Sequence, residues 1–139
     1  MSLFSDFETN PKAEKEGVLF PCGTNNDGSQ CKFRLARAGK ANKKYQKVLQ
    51  AAMKPHRHAI DNDALKEEIA EEVMLDVFIK SILIGWDNVQ DEEGKTIKYS
   101  QEKAKELMQQ LPDLYDTLDK ASKKAATFRD AIMKEEAKN

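Results

Sequence analysis

Cysteine is scarce in this 139-residue chain: only Cys22 and Cys31, too few for a disulfide framework, which points to a reducing compartment. Six glycines and four prolines are too few for a collagen-like or low-complexity chain. Long apolar runs are missing as well. The strongest, over residues 73–86, is interrupted by Asp76 and Lys80, so no bilayer-spanning segment is expected. No basic stretch followed by an apolar one opens the chain, so no signal peptide is expected. Charge of one sign is also lacking, with 23 basic against 24 acidic residues and a pI near 6.2, which argues against a dedicated nucleic-acid binder. What is present is 40% hydrophobic and 34% charged residues. That is enough for one core under a strongly hydrated surface, and a chain of this length buries about two thirds of its unfolded surface.

The near-zero net charge conceals a separation along the chain. Residues 28–60 carry nine basic groups and no acid, whereas residues 61–93 carry eleven acids against Lys66 and Lys80. Adjoining blocks of opposite sign either face each other, lie as solvated surface on opposite faces, or dock partners by charge complementarity.

The expected fold is mainly α: about four helices in one compact domain with one or two short β-hairpins. Residues 1–16 read as an irregular acidic arm with a turn at Asn10-Pro11, residues 17–135 as the helical domain and residues 136–139 as a frayed end. Alternation at Cys31, Phe33 and Leu35 after the turn-rich stretch 22–30 predicts a hairpin over 17–37. Asn42 caps a helix over 42–54 with Tyr45, Val48, Leu49 and Ala52 on one face and Pro55 as its stop. Asp61 and Asp63 open a central helix over 62–84, apolar on most sides beyond Val73. A second hairpin is expected over 86–99, then helices over 100–110 and, restarting at Pro112, over 112–135. In the last helix Leu114, Leu118, Ala121, Ala125 and Phe128 form the buried seam, together with Val73, Val77 and Ile82 from the central helix.

Chemical motifs are sparse. Cys22/Cys31 and His56/His58 are spaced C-x8-C and H-x-H, a poor match to paired zinc ligands on tight turns. Aligning Gly94 with the glycine of a calcium loop puts Val89 and Ser100 where carboxylates are needed. Phosphate-binding glycine loops and a nucleophile elbow are absent. The expectation is a non-enzyme without cofactor or metal. Lys43, Lys44 and Lys47 offer a basic helix face with Phe33 and Tyr45 nearby, suited to weak phosphate contacts without sequence preference.

Several stretches together resemble the tail assembly chaperones of long-tailed, lambda-like bacteriophages. They are residues 7–17 (FETNPKAEKEG), 34–45 (RLARAGKANKKY), Gly85-Trp86-Asp87-Asn88-Val89 with Asp91-Glu92-Glu93-Gly94-Lys95, and Leu111-Pro112-Asp113-Leu114-Tyr115. They occur in the family's order and spacing from about residue 7 to residue 130. The resemblance implies a non-enzymatic protein of the host cell cytoplasm, absent from the mature virion. It would bind the phage tape measure protein, keep it soluble and promote tube assembly around it. A longer frameshifted form would recruit the tail tube protein. The alternative reading is a charge-polarised or nucleic-acid interaction module acting as an adaptor.

Arg37, Lys43, Lys44 and Lys47 on one side, and Glu67, Glu68, Glu71 and Glu72 on the other, are the candidate partner-binding residues. They are expected to support weak self-association, with no membrane and no specific nucleic acid as partner. Trp86 is expected to plug the end of the central helix, with a partner-facing anchor as its alternative role.

Overall fold

The alternation at Cys31, Phe33 and Leu35 does form a strand, and it lies in the expected hairpin. In the computed structural model, which describes residues 2–129, β1 (Val18–Thr24) and β2 (Gln30–Leu35) run antiparallel, with Val18 opposite Leu35 and Phe20 opposite Phe33. Phe33 and Leu35 point into the core while Lys32 stays exposed, the period of two expected of a half-buried strand. At the tip, the Gly28 amide donates to the Asn25 carbonyl at 3.0 Å, and Asp27 Oδ1 accepts the Ser29 amide at 2.9 Å.

A third strand, β3 (Leu83–Asp87), pairs antiparallel with β2, setting Trp86 opposite Phe33 and Gly85 opposite Arg34. The fold is therefore mixed α/β, 56% helix and 16% strand, around a three-stranded antiparallel sheet in the order β1-β2-β3. This overturns the expectation of a mainly α fold of about four helices with one or two short β-hairpins. The sequence extends the central helix through residues 82–84 because an unbroken apolar run has no diagnostic period. The β-branched side chains of Ile82 and Ile84 favour a pleated surface, and the Ile82 carbonyl accepts the Ala36 amide at 2.9 Å, directing the chain into the sheet. The expected second hairpin over 86–99 shrinks accordingly. Gly85, Trp86 and Asp87 belong to β3, and only an isolated bridge between Gln90 and Thr96 closes the loop.

Within residues 1–16, read as an irregular arm, the backbone forms α1 (Leu3–Phe7) and α2 (Pro11–Glu16). Asn10-Pro11 acts as N-cap and first-turn proline, with Asn10 Oδ1 accepting the Ala13 amide at 3.2 Å. Gly17 ends α2 at φ +89°. A Cβ there would lie 2.8 Å from Ile84 Cδ1 and 2.9 Å from Arg34 Cγ, so both backbone conformation and space require glycine.

After β2 come α3 (Lys43–Met53), a 3-10 turn (Lys54–His56), α4 (Arg57–Asp61) and α5 (Glu67–Ser81). Asp61 closes α4 rather than opening α5, and Asp63 sits at φ +52° in the connection. The helix expected over 62–84 is thus shorter at both ends. Beyond the Gln90–Thr96 bridge, α6 (Gln101–Gln110) and α7 (Pro112–Lys123) follow their Ser100 and Pro112 start signals. The helix expected over 112–135 breaks at Lys124, which is extended, before a further helical stretch over 125–129. At the end of α7 the Ser122 carbonyl accepts the Ala38 amide at 2.9 Å, tying the helix end to the segment after β2. The rest of that expected helix (130–135) and the expected frayed end (136–139) lie outside the described residues.

The core lies between the sheet and α5, α6 and α7. Phe33, Leu35, Phe78, Ile79, Leu83, Met108 and Leu118 form its buried centre, each such side chain contributing about 1.5–3 kcal/mol by burial. Val77, Ile82, Leu118, Ala121 and Phe128 are buried as the sequence seam requires, while Val73, Leu114 and Ala125 are half-buried.

Candidate docking surface

Three lysines open α3. The helix is fixed by Asn42, which is 2% exposed. Asn42 Oδ1 accepts the Tyr45 amide at 3.1 Å, and Asn42 Nδ2 donates to the Ser81 carbonyl at 3.2 Å. This second bond ties the start of α3 to the end of α5, so the two helices pack antiparallel. Lys43, Lys44 and Lys47 therefore sit beside the C-terminal end of α5, whereas Glu67, Glu68, Glu71 and Glu72 line its opposite, N-terminal end. All seven side chains are exposed, and among the described residues none of them makes an ion pair. At 1.5 Å per residue the centres of the two clusters lie about 10–15 Å apart along the helix axes, beyond effective pairing at physiological salt.

The two clusters differ in their electrostatic setting. Glutamates in the first turns of α5 complement the positive end of its helix dipole, which accounts for them without a partner. Lysines at the start of α3 oppose the dipole of their own helix, and no acidic residue lies in its first turn. An anionic group brought to this end would relieve that opposition.

Between the clusters, Val48, Ala51, Ala52 and Val77 line a groove of about 250 Å³ whose rim carries Asp76 and Lys80. Although α3 has a clear apolar face, none of its residues is fully buried; α5 covers that face only in part. Asp76 is held in place by Lys105 at 2.9 Å, and this hydrogen bond pushes the Lys105 ammonium pKa upward. Below the helix pair, Tyr115 packs edge-on against Phe78 with ring centres 5.0 Å apart. Burial first, then the charges of Asp119, Asp116 and Glu71, push its phenol up to about 12.

Two of the candidate partner-binding residues have internal roles. The Arg37 guanidinium pairs with Glu14, a carboxylate only 2% exposed, and the Arg37 amide donates to the Glu14 carbonyl at 2.8 Å. Arg37 therefore fastens α2 to the end of β2 and is not part of the α3 cluster. Trp86 Nε1 donates to the Ile97 carbonyl at 2.8 Å, and its ring stands edge-on to Phe33 and Tyr99. It holds the 88–97 loop against the sheet in a half-buried position within β3. Tyr99 in turn donates to the Leu83 carbonyl at 2.7 Å, and burial raises its pKa.

Sequence reasoning missed the groove and Glu14. The apolar spacing of Val48 and Ala52 marked one wall of the groove, but antiparallel packing against Val77 has no sequence signal. Glu14 and Arg37 are 23 residues apart, with no periodicity linking them. Among the described residues no group of three or more His, Cys, Asp or Glu side chains is placed to hold a metal ion. No described helix is long and apolar enough to cross a membrane.

Comparison with curated proteins and with solved structures gives no match. The family comparison is informative: residues 40–139 match the sequence model of the YdaY prophage protein family, a span that runs from the start of the α3 cluster through α5, β3 and α7. The chain is therefore of phage origin, and it belongs to the YdaY prophage protein family.

Proposed function

We propose that this prophage protein is a non-enzymatic tail assembly chaperone that binds the phage tape measure protein and keeps it soluble while the tail tube assembles around it. The observation that carries the reading is the half-covered apolar face of α3, open as a groove against α5 and flanked at its two ends by clusters of opposite charge. A long helical client presents apolar stripes edged by charge, and such a groove accepts an amphipathic helix. The sequence resemblance to tail assembly chaperones supports the same reading, and the phage family is the setting it requires.

Separation of the clusters supports a further part of the proposal. Because Lys43, Lys44 and Lys47 lie too far from the α5 glutamates to neutralise them internally, the basic end of one copy complements the acidic end of the next. Head-to-tail contacts of this kind are heterologous and generate rings or open filaments, a geometry suited to coating a rod-like client in several copies. The site of action is the host cytoplasm, with the protein absent from the mature virion and a longer frameshifted form recruiting the tail tube protein.

Co-expression with the tape measure protein tests the proposal. A chaperone co-purifies with its client and raises the client's soluble fraction. The exposed lysines of α3 also suit a nucleic-acid adaptor; salt-sensitive DNA binding without any effect on the tape measure protein would select that reading instead.

A further inference from the structure

The hairpin holds a second feature, independent of the chaperone reading. In β1 and β2 the pairs Val18–Leu35, Leu19–Arg34, Phe20–Phe33 and Pro21–Lys32 follow one register. The register then shifts between Pro21 and Thr24, which pairs with Gln30, so that Cys22 and Gly23, the latter at φ +82°, together face the single Cys31 across a bulge. Both cysteines lie on the inward face of the sheet with Phe20 and Phe33. Both are half-buried and packed against the same core cluster.

Residues facing each other across an antiparallel pair have Cα atoms about 4.5–5.5 Å apart. That spacing falls inside the range a disulfide spans, about 4.4–6.8 Å. The thiols also influence each other: burial raises the pKa of Cys22 and the neighbouring Cys31 raises it further, while burial is the largest cause raising that of Cys31. Cys31 donates its S–H to Asn25 Oδ1 at 3.2 Å. Asn25 does not depend on it, because the Gln90 amide donates to the same oxygen and Asn25 Nδ2 donates to the Asn88 carbonyl at 2.8 Å. A bridge can therefore form without releasing the contact between the hairpin tip and the 88–92 loop.

We propose that Cys22 and Cys31 are a vicinal cross-strand dithiol that a low-molecular-weight disulfide of the glutathione type oxidises to an intramolecular bridge in the native fold. One cysteine, as thiolate, attacks a sulfur of the oxidant, forming a mixed disulfide and releasing one glutathione thiolate, which takes up a proton. The second cysteine loses its proton and attacks the protein-bound sulfur of the mixed disulfide. The Cys22–Cys31 bond forms and the second glutathione leaves. The protein dithiol loses two electrons and two protons, and one glutathione disulfide becomes two glutathiones. Because burial disfavours both thiolates, the reaction is slow at neutral pH and accelerates as pH rises from 7 to 9. The bridge therefore records sustained oxidising conditions rather than brief ones.

The test is to incubate the full chain with glutathione disulfide at pH 8, alkylate the remaining thiols and measure the intact mass. The expected product has lost two hydrogens and carries neither glutathione nor alkyl label. Cys22→Ser and Cys31→Ser, each left with one thiol, accumulate one bound glutathione under the same conditions. The bridged chain should keep the amide spectrum of the reduced protein outside residues 20–33, and its melting temperature should rise by about 10 °C, as expected for closing a short loop. Wild-type protein that retains bound glutathione, stays a dithiol where the single variants react fully, or cross-links between chains would overturn the proposal. So would spectral change spread through α5–α7.

Discussion

Replacing Arg37 with alanine should cost more than replacing the glutamate it pairs with. Glu14 is 2% exposed and Arg37 keeps its side chain 23% exposed. Truncating Arg37 leaves a carboxylate shut away from water with its cation gone, the costly way to break a buried pair at about 3–5 kcal/mol. Access of water to the guanidinium lowers the expected cost to about 3 kcal/mol. Truncating Glu14 strands only a guanidinium that can turn toward solvent, for about 1–1.5 kcal/mol. The Arg37-to-Glu14 backbone hydrogen bond at 2.8 Å survives both changes. The double variant Glu14→Ala/Arg37→Ala should therefore be more stable than Arg37→Ala alone, because it removes the stranded charge. Urea denaturation followed by circular dichroism measures all three. Equal costs for the two single variants, or an additive double variant, would refute the reasoning.

Phe128, 1% exposed, should cost about 3–5 kcal/mol when changed to alanine, and a loss below about 0.5 kcal/mol would show that 125–129 is not docked. Trp86 should fluoresce at the wavelength of a half-buried indole, and Trp86→Phe should lose about 1 kcal/mol with the Ile97 hydrogen bond. Tyr115, pushed up to about 12 from an ordinary value of 10.0, holds its proton more tightly folded than unfolded. Its contribution is thus complete below pH 10 and is lost as pH rises from 10 toward 12, so Tyr115→Phe should make the decline in alkaline denaturation curves shallower. If copies associate head to tail as proposed, sedimentation at low salt should show the wild type self-associating and a variant with Lys43, Lys44 and Lys47 all changed to glutamate staying monomeric; a strictly monomeric wild type at high concentration and low salt would contradict the head-to-tail arrangement.

Local chemistry was well legible in the sequence, and tertiary pairing was not. Asn42 and Ser100 cap their helices, Pro112 starts one, and Cys31, Phe33 and Leu35 alternate as a strand, because each signal is satisfied by neighbours a few residues away. Ile82-Leu83-Ile84 failed because a fully buried apolar run reads the same in helix and strand; the β-branched pair before Gly85 was the available clue. Asn10-Pro11 reads as a turn in sequence, yet the same two residues suit a helix start, with Asn10 as cap and Pro11 in the first turn. The extended Lys124 follows a helix end whose Ser122 carbonyl is held by Ala38, a contact across 84 residues that no local pattern encodes. For the candidate site, the charges of both clusters were plain in the sequence, but their separation to opposite ends of an antiparallel pair came only from the Asn42–Ser81 bond.

The most direct test of the central claim is the soluble fraction of the phage's own tape measure protein, measured by ultracentrifugation after co-expression with this chain. The wild type should move the client into the supernatant and co-purify with it. A variant carrying Val48→Asp and Ala52→Asp, which closes the α3–α5 groove to apolar helices at half-buried positions of its wall, should keep the circular dichroism of the wild type and fail to do so. A client that stays insoluble beside the wild type, or one that the folded groove variant solubilises equally well, would contradict the account.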